Sequence, residues 1–497
     1  MSEPVMTEYG PIRGVRQNGA LAFRGIPYAA PPVGPLRFRL PEPPQPWSTV
    51  RDGGTFGAMA QQYGRMHWDD PMVGDYMTGG RAGELSAAGI HRDEDCLSLN
   101  ILTPAADPAQ RPVMVYLHGC GYGACSPFTA TLADRLVSEQ DVVLVSVGHR
   151  LNIFGFLYLG DFDEGYRTGN VGLLDLVAAL RWVRQNIRAF GGDPDRVTIF
   201  GESGGGWKVL DLMGMPEARG LFARAIVESA PWPERIEPAE GAAQAEALLA
   251  QAGVRTAAQL ERIPAAELVE AMRVAGPRSF RPVLDGVTLT ERVWSDGAPA
   301  SAEGVSLLIG NTRDEMTALA YDEALFAVGW DEVIPTLSRR LSLPEPVLAP
   351  VLECYRSQRP DAGPAETLYG IWSDRLFGTA AAQLARWQSE QAPTYRYHFA
   401  YPTPVGRLGA FHTAELPLAL RLVRFPEMEQ LSRQLGAAWA AFARDGVPAG
   451  VPHWDRWQPG SDRTMVFGHT VAAVSNLHAA ELSAVAALPP VSTTQGR

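Results

Sequence analysis

Cysteine is scarce in this chain: Cys96, Cys120, Cys125 and Cys354 are the only thiols in 497 residues. Four cysteines are too few for a disulfide framework at this length and show no metal-ligand spacing, so free thiols and no bound metal are expected. No apolar run approaches the ~20 residues of a membrane span. The opening Met1-Ser2-Glu3-Pro4-Val5-Met6-Thr7-Glu8 has neither the basic flank nor the apolar stretch of a secretory leader, which makes a cytoplasmic location without a membrane partner the expectation. Clusters of Lys or Arg are missing as well, and with a net charge of −12 the chain is not expected to bind nucleic acid. Internal repeats are absent. What is plentiful is apolar: hydrophobic residues make up 46% and charged residues 20%, enough to bury a large core.

Short β-branched runs alternate with helical patterns. Val113 to Leu117, Val142 to Val147, Val197 to Phe200 and Ala225 to Val227 are nearly continuous apolar strands, the pattern of a mostly parallel sheet covered on both faces. Between the second and third, Leu173, Leu176, Val177, Leu180, Val183 and Ile187 follow helical spacing and predict a crossover helix. Later strands are expected at Leu307 to Ile309, Tyr395 to Phe399 and Thr464 to Phe467, so the sheet spans most of the chain. The Ala-, Glu- and Leu-rich stretch 237–275 reads as helices on or over that sheet. The fold class expected is α/β.

Gly201-Glu202-Ser203-Gly204-Gly205 stands directly after the Val197 to Phe200 run. A bare G-x-S-x-G match is weak evidence in a chain with 50 glycines. Its setting is not, because a strand precedes it and Trp207 to Met213 can continue as a helix, the strand–turn–helix junction that projects a nucleophilic serine. Glycines flank the serine where side chains would meet the crossing backbone, and Gly204 adds freedom in φ.

A serine nucleophile needs a base, and the base needs an acid that fixes its tautomer. In the doubly wound hydrolase order both follow the serine, on loops after strands. Asp314 and Glu315, after the Leu307 to Ile309 strand, are both acid candidates. Five histidines come later: His398 lies inside a strand pattern, His453, His469 and His478 lie toward the C-terminus, and His412 falls in a glycine-bearing loop after the Tyr395 to Phe399 strand, where the base belongs. Donors for an oxyanion are expected from His118-Gly119-Cys120-Gly121-Tyr122, which resembles the His-Gly-Gly-Gly loop of esterases but carries a thiol. Cys120 has neither the tight elbow nor a positioned histidine of its own, so it is not expected to be the nucleophile.

With these residues in place the chain resembles the type-B carboxylesterases, the cholinesterase-like branch of the α/β-hydrolases. The resemblance rests on Phe23-Arg24-Gly25-Ile26-Pro27-Tyr28-Ala29, Glu94-Asp95-Cys96-Leu97-Ser98-Leu99-Asn100, Asn170-Val171-Gly172-Leu173, Phe190-Gly191-Gly192-Asp193-Pro194, the serine motif and His412-Thr413-Ala414-Glu415-Leu416-Pro417. It implies one α/β-hydrolase domain over 1–497, with a helical capping insertion around 237–300. It also implies a triad of Ser203, Glu315 and His412, oxyanion donors at Cys120, Gly121 and Gly204, and a second polar network at Glu202 and Ser229. No cofactor is implied. Glycine is usual at the position of Cys120 and alanine at that of Gly204, Trp207-Lys208 is unusual behind the serine, and secreted relatives pair the counterpart of Cys96 with an upstream cysteine that is missing here.

The expected activity is hydrolysis of neutral, moderately bulky carboxylic esters through an acyl-enzyme, by a monomer or weak homo-oligomer. Tyr122, Glu202, Phe128 and Trp232 are expected around the substrate, with residues 64–80, including Met66, His67, Trp68, Met72, Tyr76 and Met77, over the mouth of the gorge. An amidase or carbamate hydrolase would use the same triad. A non-catalytic binding module of this fold is the reading from another class, and retention of every triad member speaks against it.

Overall fold

Strand β4, Arg111–Leu117, is buried along its whole length, and successive side chains serve two different cores. Val113, Val115 and Leu117 join one apolar cluster, while Met114 and Tyr116 join another. Such a strand is stable only between two covering layers. The computed structural model describes residues 2–64, 67–162, 165–166, 168–233, 235–275, 280–290 and 293–489.

The sheet that holds β4 has 11 strands. In chain order the others are β1 (Val15–Gln17), β2 (Ala20–Pro27), β3 (Ser98–Thr103), β5 (Val143–Val147), β6 (Gly192–Glu202), β7 (Arg224–Glu228), β8 (Ser306–Thr312), β9 (Thr394–Phe399), β10 (Arg463–Phe467) and β11 (Val471–Ser475). Across the sheet they run β11-β10-β9-β8-β7-β6-β4-β5-β3-β2-β1. The stretch from β10 to β5 is parallel throughout. Both margins are antiparallel.

Helix α1, Val171–Asn186, lays Leu173, Leu176, Leu180 and Val183 on one face, and helix Glu429–Asp445 covers the other with Leu435, Trp439 and Phe442. The helices expected within 237–275 are Pro238–Gln251, Ala257–Leu260 and Ala265–Ala275. Residues 276–279 and 291–292, within the capping insertion expected around 237–300, lie outside the described residues. A further helical layer, Trp330–Leu341, Glu345–Gln358 and Pro364–Ser373, was not expected; it follows β8 and has an apolar cluster of its own around Val333, Leu337, Leu352 and Tyr369. Among the described residues no helix is long and apolar enough to cross a membrane. Parallel pairing lines up the C-terminal ends of β4, β6, β7, β8 and β9, so the loops that carry the serine, acid, histidine and expected oxyanion motifs open on one edge.

Candidate active site

Strand β6 ends at Glu202 and helix α2, Gly204–Gly214, begins one residue on, leaving Ser203 alone at the turn. Its backbone sits at φ 56 and ψ −121, a conformation an L-residue adopts only when its surroundings enforce it. The turn is anchored from the neighbouring strand, where the Ser203 N–H donates to the Glu228 carbonyl at 2.9 Å. Gly205 is dictated by proximity, since a β-carbon there would lie 2.1 Å from the Leu117 carbonyl oxygen. Gly204 has a similar reason, different from the φ freedom expected of it: a β-carbon would lie 2.2 Å from the Gly121 nitrogen. The 118–122 loop therefore rests directly on the first turn of α2. A β-carbon on Gly119 would lie 3.7 Å from the Ser203 β-carbon, so the same loop flanks the serine.

Two adjacent acids after β8 divide the task of holding the histidine loop. Glu315 opens a short helix, accepts the Thr312 N–H on one oxygen at 2.7 Å and faces His412 Nδ1 with the other at 2.5 Å. Asp314 turns away to Arg313 and accepts the Ala410 N–H at 2.8 Å. Its own N–H donates to the Ala410 carbonyl at 2.9 Å, and the Thr317 hydroxyl donates to the Leu408 carbonyl at 2.7 Å. Of the two candidates, Glu315 is thus the one that meets the imidazole. The side of the loop away from the sheet is closed by the 67–80 segment: the Tyr76 hydroxyl donates to the Ala414 carbonyl at 2.7 Å, and the Thr413 hydroxyl reaches Met77 Sδ at 3.3 Å. Trp68 is buried and Met72 exposed. Met66 lies outside the described residues, as does the side chain of His67.

Carboxylates gather beneath the imidazole. Glu202 Oε1 lies 3.2 Å from His412 Nε2, out of line for a hydrogen bond. Burial, then the charges of Glu415, Glu315 and Glu228, push the Glu202 carboxyl well above its ordinary range. Glu415 accepts from Ser229 at 3.1 Å and Tyr397 at 2.9 Å and is pushed up to about 7 by burial and by Glu315. Glu228 accepts from Trp439 Nε1 at 3.0 Å and is raised mainly by burial. All three are raised by burial, while Glu315 is the carboxyl within hydrogen-bond reach of the ring at Nδ1. His398, inside β9, is buried, and burial together with His478 keeps it neutral.

The 118–125 loop differs from expectation in its thiols. Cys120 and Cys125 are joined by a disulfide, and only Cys96 and Cys354 remain free among the four. Spacing across the whole chain hid this pair, because the bond closes a local loop rather than linking distant segments. Cys120 itself adopts φ 59, the left-handed region usual for glycine, so the thiol has replaced a glycine without removing its backbone shape. Gln62 holds Cys125 twice, accepting its N–H at 2.8 Å and donating to its carbonyl at 2.9 Å. The bridge thereby ties the peptide at Cys120 to a fixed point.

Tyr122 and Phe128, both expected around the substrate, are 3% and 1% exposed. The Tyr122 hydroxyl donates to Asp211 at 2.6 Å with its ring between Phe156 and Trp207, and Phe128 packs against Phe56 and Trp68. Both are buried in aromatic packing. Trp232 is partly exposed beside Trp387. Two aromatic neighbours of the site were not among the residues expected around the substrate. Trp207 lies 3.7 Å from where a β-carbon on Gly121 would stand, one turn after the serine, a position helical spacing could have flagged. Phe377 sits 5.2 Å from the His412 ring in a π-helical turn, Asp374–Gly378, that no sequence pattern announces.

A mixed sheet with these crossovers and a serine at the β6–α2 elbow defines an α/β-hydrolase fold. A model of the Carboxylesterase family matches residues 1–484. The chain is 35% identical to the para-nitrobenzyl esterase of Bacillus subtilis, over 93% of this chain and 94% of that one, and 34% identical to human cocaine esterase, over 88% and 81%. Among solved structures, a carboxylesterase of Geobacillus stearothermophilus superposes with a TM-score of 0.81 at 35% identity, covering 97% of this chain and 99% of its own. The protein belongs to the carboxylesterase family, and it is a carboxylic ester hydrolase.

Proposed function

We propose that Ser203 is the nucleophile, His412 its base and Glu315 the acid that orients the base. Ser203 Oγ attacks the ester carbonyl as His412 Nε2 takes its proton; the tetrahedral intermediate collapses when the imidazolium returns that proton to the departing alcohol. Water then attacks the acyl-enzyme by the same exchange, releasing the acid and restoring the serine. N–H groups of Cys120, Gly121 and Gly204 receive the oxyanion, each worth about 3 kcal/mol in the transition state. Burial and the neighbouring carboxylates raise Glu202 well above its ordinary range, which weakens it as a partner for the imidazolium. The observation that carries this reading is the 2.5 Å contact between Glu315 and His412 Nδ1, with Nε2 on the opposite side of the ring 3.2 Å from Glu202, the residue before Ser203.

The substrates proposed are neutral esters of moderate bulk, aromatic ones included. A net charge of −12 disfavours anionic substrates, and para-nitrobenzyl esterase is the name of one relative. Partly exposed Trp207 and Trp232 supply aromatic surface near the elbow. Every group invoked comes from one chain, in keeping with a monomer or weak homo-oligomer. A cytoplasmic setting would keep the Cys120–Cys125 bridge reduced, so the thiol state of the freshly isolated protein tests that location. Ser203→Ala should remove nearly all turnover of a p-nitrophenyl ester while the melting profile is kept. A panel of esters, anilides and carbamates tests the substrate class, and a preference for either of the latter two overturns it.

A further inference from the structure

Lys208 is the only lysine in the chain. It stands on α2, five residues beyond Ser203, and its side chain is wholly buried. A buried ammonium is costly to keep unless it is fully used. Its Nζ donates to the His118 carbonyl at 2.8 Å, the last residue before the Gly119-Cys120-Gly121 stretch of the oxyanion loop. That carbonyl and the Gly119 N–H belong to one planar peptide, so fixing the oxygen fixes the direction in which the chain enters the loop.

The other end of the loop is already tied. The Asn152 N–H donates to the Tyr122 carbonyl at 2.7 Å, and Gln62 grips Cys125. Lys208 supplies the corresponding anchor at the start. Around it lie the Tyr122 ring, 5.9 Å from Nζ, and the stacked rings of His118 and His149, with His149 held neutral by burial and by the lysine itself. Asp211, one turn further along α2, is the acid whose charge acts on it, and it is shared with Tyr122 and Arg235.

We propose that Lys208 is a positioning residue for ester hydrolysis, holding the 118–119 peptide so that the N–H groups of Cys120 and Gly121 meet the oxyanion. The proposal rests on the Ser203 reading above. Burial pushes the ammonium down to about 7, against the pull of Asp211, so the anchor weakens as pH rises through neutrality.

The test compares Lys208→Met, which keeps length and apolar stem, with Lys208→Gln, which keeps a donor. Steady-state kcat and KM for a p-nitrophenyl ester are measured from about pH 5 to about pH 10, beside melting curves. Lys208→Met should lose on the order of a hundredfold in kcat, as misplacement near 1 Å does, with KM changed by less than about threefold. Its pH profile should lack the fall above neutrality shown by the parent, and Lys208→Gln should recover part of kcat. Unchanged kcat in Lys208→Met overturns the proposal, as does a loss that tracks melting temperature and is shared equally by both variants. Failure of both to fold overturns it too, since that is the mark of a packing role. Turnover by the parent together with an inactive Ser203→Ala shows in the same experiment that the hydrolytic reading stands whatever Lys208 does.

Discussion

Gly204→Ala is a one-carbon change with a large expected consequence. The new β-carbon would lie 2.2 Å from the Gly121 nitrogen, 2.4 Å from its Cα and 2.5 Å from its oxygen, all of them backbone. Nonbonded carbon contacts settle near 3.5 Å, so the loop must retreat by roughly 1 Å. It cannot retreat freely, because the Cys120–Cys125 bridge and Gln62 hold it. Overpacking of this kind costs about 1–3 kcal/mol in stability, and displacing an oxyanion donor costs about 100- to 1000-fold in kcat. The assay is kcat/KM for a p-nitrophenyl ester beside a denaturant melt. Cys120→Gly combined with Gly204→Ala removes the bridge and should recover at least about tenfold over the single variant, a coupling within the usual range for touching residues. A Gly204→Ala enzyme within about threefold of the parent would refute the claim that the loop rests on the elbow.

Three further outcomes follow from the geometry. Glu315→Gln should lower kcat by roughly 10⁴-fold with the fold intact, whereas Asp314→Ala should act mainly on stability, by about 1–3 kcal/mol, since it strands the buried Ala410 N–H; equal kinetic effects would contradict the division of labour. Glu415 carries a folded-state value of about 7 against an ordinary 4.5, so its contribution to stability is complete below about 4.5 and is lost as pH rises through about 7, some 3 kcal/mol in all. Glu415→Gln should flatten that part of the stability–pH curve, and an unchanged curve would count against a protonated Glu415. A dithiol reductant should free two additional thiols and lower stability by about 2 kcal/mol, the value for closing so short a loop, with no such effect on Cys125→Ser.

The elbow was legible because it depends on local rules: an apolar strand, glycines on either side of a serine, and a helical continuation. The parallel strands were legible for the same reason, since burial on both faces leaves continuous Val and Ile runs. The antiparallel margin was not. Strand β2 contains Arg24-Gly25 and shifts register between Phe23 and Ile26, which erases any alternation. Spacing left Asp314 and Glu315 open and the family resemblance implied Glu315; the fold gives the physical reason, turning one acid to the loop backbone and its neighbour to the ring. The 120–125 bridge was missed because it depends on a loop doubling back within six residues. Phe377 and the helical layer before it carry ordinary amphipathic patterns, and nothing local says that one of their turns ends beside a histidine.

The most direct test of the account is where a fluorophosphonate attaches. Peptide mapping of the labelled protein should place one adduct on Ser203, formed quickly by the parent and at least about 100-fold more slowly by His412→Ala. An adduct on any other side chain, or equal labelling with and without the imidazole, would contradict it.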